Sequence, residues 1–206
     1  MDELGLAGAA RKRTTRTTNS RHSFPRYANL VEGLQILRPE QVWVADITYI
    51  RLQREFVYLA ILMDVFTRMI RGWHLSRSLD QGLTLAALER ALVVGGPEIH
   101  HSDQGLQYAA GAYVERLRSV GAEPSMAAVG EPRENGYAER LMRTIKEEEV
   151  SLSDYWDFAD AQSQIRVFLD DVYNVKRIHS SLGYLTPMEF EEQWRAGRTP
   201  STTIGT

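Results

Sequence analysis

Three acidic residues sit where their neighbours make them conspicuous. Asp46 lies inside VWVADITYI (42–50), a run built almost entirely of strand-forming residues. Aspartate is depleted from strands, and an unpaired buried carboxylate is costly. The ordinary account of it is an edge-strand or turn-capping aspartate. Asp103, in HSDQG (101–105), follows a short apolar run. That is the carboxyl end of a strand, where open α/β sheets bind ligands; the ordinary account is a turn or helix cap. Glu139 belongs to ENGYAERLMRTIKEE (134–148), on the first turns of a helix. A single glutamate there is ordinarily a solvated face residue. The constellation, not any one member, points to chemistry.

Carboxylates from separate elements suit a hard divalent cation. Mg2+ takes oxygen ligands in octahedral geometry and keeps several waters. Two such ions, about 3.5–4 Å apart, clamp the attacking and leaving oxygens of an in-line displacement without a covalent nucleophile. The chain has no cysteine, so a metal must be held by oxygen or imidazole. His100 and His101 precede Asp103; one can serve as a ligand, but the simpler reading packs one at the strand end and leaves the other exposed. Asp64 is a competing buried acid, read as ending its strand and capping a turn in partnership with Arg68. His179 reads as a structural hydrogen-bonding residue, with contact to DNA or a partner as the other option.

Several elements must position these groups. Val42, Val44, Asp46 and Thr48 share one face of an extended segment and Trp43, Ala45, Ile47 and Tyr49 the other. Phe56–Asp64 and Met69–Leu75 follow after short breaks, which predicts an antiparallel meander. Asp80 caps a helix running to about Val94, closed by Gly95-Gly96-Pro97. A strand at Glu98–His101, a helix at Ala109–Val120 and a strand at Glu123–Met126 come next. Ala127–Arg133 reads as a mobile loop. Helices then cover about Asn135–Val150 and Phe158–Tyr173, and a last one starts at Thr186-Pro187, with proline at its favoured first position. This order predicts a mixed α/β domain in which a meander feeds crossover units.

The hydrophobic content of 43% and charged content of 25% are those of a globular domain with a core of useful size. No apolar run approaches the roughly 18 residues of a membrane span, and no signal peptide is evident, so a cytoplasmic protein is expected. Charge is unevenly spread. The first 30 residues hold six basic residues (Arg11, Lys12, Arg13, Arg16, Arg21, Arg26) against two acids, which leaves −7 on the rest of a chain whose net charge is −3. Such an arm either holds DNA phosphates or is a solvated terminus. The expected organisation is a basic arm at 1–38, a core at 39–196 and a tail at 197–206.

Five stretches, in order, resemble the catalytic domain of OrfB-type insertion-sequence transposases, relatives of retroviral integrases: WVADITYI (43–50), YLAILMDVFTRMIRGWHLS (58–76), HSDQGLQY (101–108), ENGYAERLMRTIKEE (134–148) and YNVKRIHSSLGYLTPMEF (173–190). The 35 residues between Asp103 and Glu139 match that family's spacing. The resemblance implies a ribonuclease-H-like fold, a mixed five-stranded sheet flanked by helices. It implies Asp46, Asp103 and Glu139 as a catalytic triad holding two Mg2+ ions, with Mn2+ able to substitute. It further suggests DNA contacts by Lys146, seven residues after Glu139, and by Arg143 on the same helix face; the competing use of Arg143 is an ion pair with Glu147. Asn135 is expected to position DNA or the helix start, and Arg11, Lys12 and Arg13 to reach phosphates from the arm. Family members carry a helical DNA-binding segment before the core, and residues 1–38 read as its last linker. One departure is Glu134-Asn135, where the family usually has Asp-Asn.

The implied activity is DNA strand cleavage followed by transfer of the 3′-OH to a target during transposition. It is expected from a homodimer or higher homo-oligomer acting on element ends and target DNA. Two other functions stay open on sequence: a ribonuclease-H-like nuclease without strand transfer, and a decayed DNA-binding remnant without catalysis.

Overall fold

A computed structural model describes residues 25–128 and 135–198. Arg11, Lys12, Arg13, Arg16 and Arg21 of the basic arm, residues 129–134 of the expected loop, and 199–206 of the tail lie outside the described residues. The meander is present as β1 (Val42–Arg51), β2 (Phe56–Asp64) and β3 (Ile70–Ser76), paired antiparallel. Helix α1 (Gln81–Leu92) leads to β4 (Ile99–Ser102), which pairs parallel to β1. Short α2 (Leu106–Ala109) and α3 (Gly111–Ser119) lead to β5 (Glu123–Met126), parallel to β4. The five-stranded sheet has the order β3-β2-β1-β4-β5, so β1 is central. Helices α4 (Gly136–Ile145), α5 (Phe158–Arg166) and α6 (Pro187–Arg195) follow.

Alternation along β1 divides the interior into two cores. Val42, Val44 and Ile50 pack with Leu141 and Ile145 of α4, Ile165 of α5 and Phe190 of α6. Trp43, Ala45 and Ile47 pack with Leu83 and Leu88 of α1 and Tyr113 and Leu117 of α3. Burying both faces of β1 against helices removes apolar area at roughly 25 cal/mol per Å² and fixes the strand's register, since a one-residue slip would exchange its faces. The second layer comes very close at Gly72 of β3. A Cβ there would collide with the Ala87 carbonyl oxygen and lie 2.6 Å from the Ala91 nitrogen, so only glycine admits α1.

The helices differ in detail from expectation. The segment read as one helix from Ala109 is broken at Ala110, whose ψ of 138° is extended. The helices after Asn135 and Phe158 run the expected lengths, but each ends in wider π-type turns, at Lys146–Val150 and Val167–Tyr173. Helix α6 begins as read: Thr186 Oγ1 accepts from the Glu189 amide, Glu189 Oε2 accepts from the Thr186 amide, and Pro187 follows the cap. Edge strand β3 is covered at Ile70, whose amide and carbonyl both bond the Asn174 side chain at 2.9 and 3.1 Å. Residues 25–38 carry no helix or strand, yet Leu30 donates its amide to Ser125 Oγ at 2.9 Å.

Asp64 ends its strand and caps the following turn, as expected. Its Oδ1 accepts from the Thr67 amide at 2.8 Å and its Oδ2 from the Glu40 amide at 2.6 Å. Its cationic partner is not Arg68 but Arg71, at 3.6 Å. Arg68 adopts the left-handed region (φ 61°), which carries its guanidinium across to the Tyr137 ring, 4.4 Å from the centroid. Arg71 is buried among three acids, at 2.8 Å from both Glu40 and Glu191. Burial works against its charge, but Asp64, Glu191 and Glu40 outweigh that and hold its pKa above the ordinary value. No helix of the described residues is long and apolar enough to cross a membrane.

Candidate active site

The parallel half of the sheet stops early, and that creates the site. The last β1–β4 pair is Ala45 with Ser102. One step further along each strand stand Asp46 and Asp103, the first residues past the parallel pairing and close enough for the charge of Asp103 to act on Asp46. Beyond them β1 continues to Arg51 beside β2 but has no partner on its β4 side. The two aspartates therefore stand where the central strand loses its β4 partner.

Each aspartate is held locally. Asp46 Oδ1 accepts from the Ile47 amide at 2.7 Å, a donor that β4 no longer covers. Asp103 Oδ1 accepts from the Gly105 amide at 3.0 Å, and Ser102 Oγ donates to the Asp103 carbonyl at 2.9 Å. That turn leads into α2. Gln104 Nε2 donates to the Ala127 carbonyl at 3.0 Å, tying the turn to the end of β5.

The charges of the site act on one another. Burial, then the adjacent Asp103 charge, push the Asp46 carboxyl up to about 7; the Ile47 amide and Lys146 oppose the rise, and Glu139 adds to it. Glu139 is exposed on the first turn of α4, which packs across β1. Lys146, just past the end of α4, reaches the Tyr49 ring, with its Nζ 5.4 Å from the centroid. The structure thus sets Asp46 beside Asp103 and brings Glu139 and Lys146 within electrostatic reach of Asp46. Among the described residues no three His, Asp or Glu side chains converge closely enough to enclose an ion by themselves.

The other residues singled out in the sequence fall as follows. Arg143 is exposed and, among the described residues, makes no ion pair with Glu147. Asn135 is the buried residue before α4; its side chain does not cap the helix, and its Oδ1 has no hydrogen-bond partner. His100 and His101 are both buried, against the expectation that one would be exposed. The reason is that β4 is covered on both faces. His100 Nε2 bonds the Tyr113 hydroxyl at 2.9 Å and His101 Nδ1 bonds Ser125 Oγ at 2.9 Å. His179 has the structural setting expected of it, stacked edge-on to Tyr173 with ring centroids 5.2 Å apart.

Two residues were not singled out. Tyr108 of α2 is buried behind the aspartates, and its hydroxyl has no hydrogen-bond partner; burial, then Tyr113, then the charges of Asp46 and Asp103 raise its pKa far above the ordinary value. Thr48 is buried two residues after Asp46 with an unpartnered Oγ1. The signal for Thr48 was its place on the Asp46 face of the strand; Tyr108 had only its place in the HSDQGLQY stretch.

Comparison with known proteins gives a consistent result. Two models described as "Integrase core domain" match residues 37–132 and 120–187. The chain is 34% identical over 198 residues to the transposase for insertion sequence element IS629 of Shigella sonnei, covering 95% of this chain and 67% of that protein. It is 31% identical over 207 residues to the putative transposase for IS986/IS6110 of Mycobacterium tuberculosis, covering 96% and 74%. The chain therefore spans about two thirds to three quarters of the length of these relatives. Among solved structures it matches a chain of the simian T-cell lymphotropic virus intasome complex with a TM-score of 0.64 at 18% identity, covering 90% of this chain and 63% of that one. It also matches the HTLV-2 integrase catalytic core in complex with magnesium, with a TM-score of 0.51 at 16% identity, covering 74% and 97%. These structures share its fold, which is ribonuclease-H-like.

Proposed function

The chain belongs to the integrase core domain family of insertion-sequence transposases, and from that premise we propose that it cuts and joins DNA strands with Asp46, Asp103 and Glu139 as its catalytic carboxylates. The observation that carries the proposal is the placement of Asp46 and Asp103 side by side where β4 stops and β1 continues.

The donor set fits a divalent cation. Mg2+ is ordinarily bound by one or two carboxylates, with the rest of its shell left to waters and substrate phosphate. Two adjacent aspartates meet that requirement. Burial, and after it the adjacent Asp103 charge, hold the Asp46 carboxyl up at about 7, and a cation at the pair would favour its ionised form. Asp46 and Asp103 would hold the ions, with Glu139 completing the set from α4; Mn2+ is expected to substitute. Bound there, a pair of Mg2+ ions supplies Lewis acidity to the attacking and leaving oxygens.

The chain's own residues supply position. The Ile47 and Gly105 amides orient the two carboxylates. Lys146, seven residues after Glu139, lies on the same side of its helix, so its ammonium reaches a phosphate beside the reacting one. In cleavage, a water oxygen forms a bond to phosphorus, the bond from phosphorus to the 3′ oxygen breaks, and that oxygen leaves as a hydroxyl carrying a proton. In transfer, this 3′-OH attacks a target phosphodiester and displaces the target's own 3′ oxygen. The transposase relatives favour this two-step activity over a nuclease limited to the first step. Processing two ends together calls for a dimer or larger assembly, which light scattering after size exclusion measures directly.

The test uses labelled oligonucleotides carrying the terminal sequence of the element, with Mg2+ or Mn2+. Wild type is expected to give shortened and joined products. Asp46→Asn, Asp103→Asn and Glu139→Gln are each expected to abolish both while retaining DNA affinity. Wild-type activity in any one of them removes that residue from the triad, and shortened products alone reduce the activity to a nuclease.

A further inference from the structure

A second charged cluster lies on the flank of α4, about 100° around the helix from Glu139 at the spacing of 3.6 residues per turn. Arg140 is exposed there. From the β2–β3 turn Arg68 stacks on Tyr137, 4.4 Å from its centroid, held by its left-handed backbone. From the far side Arg177 extends over the Tyr173 ring at 5.7 Å and approaches the His179 ring nitrogens at 3.2 and 3.3 Å. The acid at the cluster is Glu148, and it is already engaged with Arg177 through two bonds of 2.6 and 2.7 Å. Among the described residues neither Arg68 nor Arg140 forms an ion pair.

The cluster holds more positive charge than the protein compensates. Burial, and the nearby Arg140, lower the Arg68 pKa against the favourable influence of Tyr137 and Tyr173. Burial, then Arg177 and Arg68, depress His179 to about 4, with Glu148 opposing and Arg140 adding. His179 is therefore neutral at pH 7 and adds no charge of its own. The amino end of α4 adds the positive end of its dipole, and Asn135 beside it has no side-chain cap to offer. Arg177 is compensated by Glu148, whereas Arg68 and Arg140 lack such a partner among the described residues, and an anion beside them would offset their mutual repulsion. Planar guanidinium forks match phosphate oxygens; Arg140 is exposed, and Arg177, its side chain 26% accessible, presents an edge to solvent beside it.

We infer that Arg68, Arg140 and Arg177 form a phosphodiester-binding site on the flank of α4, separate from the two aspartates, which grips the backbone of DNA beyond the cleaved bond. The inference rests on the chain acting on DNA, and its residues are distinct from the carboxylates that carry that reading. Arg140 and Arg177 receive the phosphate oxygens from the surface. Arg68 supports them from beneath, with Tyr137 fixing its plane.

The experiment measures binding of the full chain, as Asp46→Asn so that it binds without cutting, to a duplex oligonucleotide by fluorescence anisotropy over a series of salt concentrations. Arg140→Gln and Arg177→Gln are each expected to weaken binding several-fold and to reduce the slope of log affinity against log salt by about 1, the value for one lost phosphate contact. Arg116→Gln, on α3 and paired with Glu89, is expected to change neither. Arg177→Lys controls for loss of the Glu148 pairing: it keeps the charge, its folding is checked by thermal melting, and it is expected to retain the wild-type salt slope. An unchanged slope in Arg140→Gln and Arg177→Gln, with wild-type affinity intact, overturns the site and leaves the proposed function standing. Stabilisation by inorganic phosphate that depends on these arginines, without any effect on DNA, shows a small-anion site and also overturns the inference. Absence of DNA binding by the parent chain overturns both, whereas cutting by Asp46→Asn overturns the catalytic reading alone.

Discussion

His100, three residues before Asp103, shows what burial does to a single residue. Its ring is enclosed by Tyr108 and Tyr113, with centroids at 6.0 and 5.3 Å, and its Nε2 shares a hydrogen bond of 2.9 Å with the Tyr113 hydroxyl. Burial, helped by His101, brings its pKa down to about 3. In the unfolded chain it returns to about 6.5. Between those values the unfolded state binds the extra proton, so stability is full above about 6.5 and is lost as pH falls toward 3. Unfolding free energies from urea titrations between pH 7 and pH 4 are expected to fall, at up to about 1.4 kcal/mol per pH unit for this one proton. His100→Gln is expected to flatten that dependence, and a pH profile unaltered by the substitution would contradict the assignment. At this scale the sequence was informative where chemistry was anomalous. Asp46 was visible because a carboxylate interrupts a strand, and Asp103 because it follows one. Tyr108 was not, since an aromatic residue near a strand end is ordinary core and only the fold reveals the unpartnered hydroxyl. Arg71 was missed as the partner of Asp64 because proximity along the chain favoured Arg68, and a left-handed turn decides otherwise.

Elements were legible in kind and order more than in their ends. The first three strands follow from apolar runs bounded by polar breaks, and the meander from short connections, whereas β4 (IHHS) and β5 (EPSM) carry little apolar pattern of their own. The break at Ala110 was hidden because alanine is the best helix former; nothing in its propensity announces an extended residue. The π-type endings were hidden for a related reason, since one extra residue per turn leaves the apolar pattern nearly unchanged. Glycine in mid-strand does announce itself. At Gly72 the cause is α1, whose backbone lies against β3 at Ala87 and Ala91. Gly72→Ala is expected to push that helix outward and cost about 1–3 kcal/mol, as overpacking does. Calorimetry checks this; a melting temperature equal to wild type would mean that α1 shifts freely.

At the scale of the whole molecule, one buried network joins segments that are far apart in sequence. Arg71 on β3 binds Glu40 before β1, Asp64 at the end of β2 and Glu191 on α6. Glu40 also accepts from Trp43 Nε1 at 2.6 Å, and Glu191 binds Arg195 at 2.5 Å. Removing one partner of a buried ionic group strands the others, at a cost of roughly 3–5 kcal/mol. Arg71→Met is accordingly expected to lose about that much in denaturant titrations, through the three carboxylates left behind. A loss under 1 kcal/mol would show that water reaches them.

The same network sets a timetable for biogenesis. Arg71 leaves the ribosome 120 residues ahead of Glu191. During that interval the sheet's first three strands are in hand, but the cation at their base lacks its last counter-charge and the cover that α6 provides. Asp46 and Asp103 thus emerge well before the helix that covers this cluster, and burial of the Arg71 network is complete only once α6 has followed.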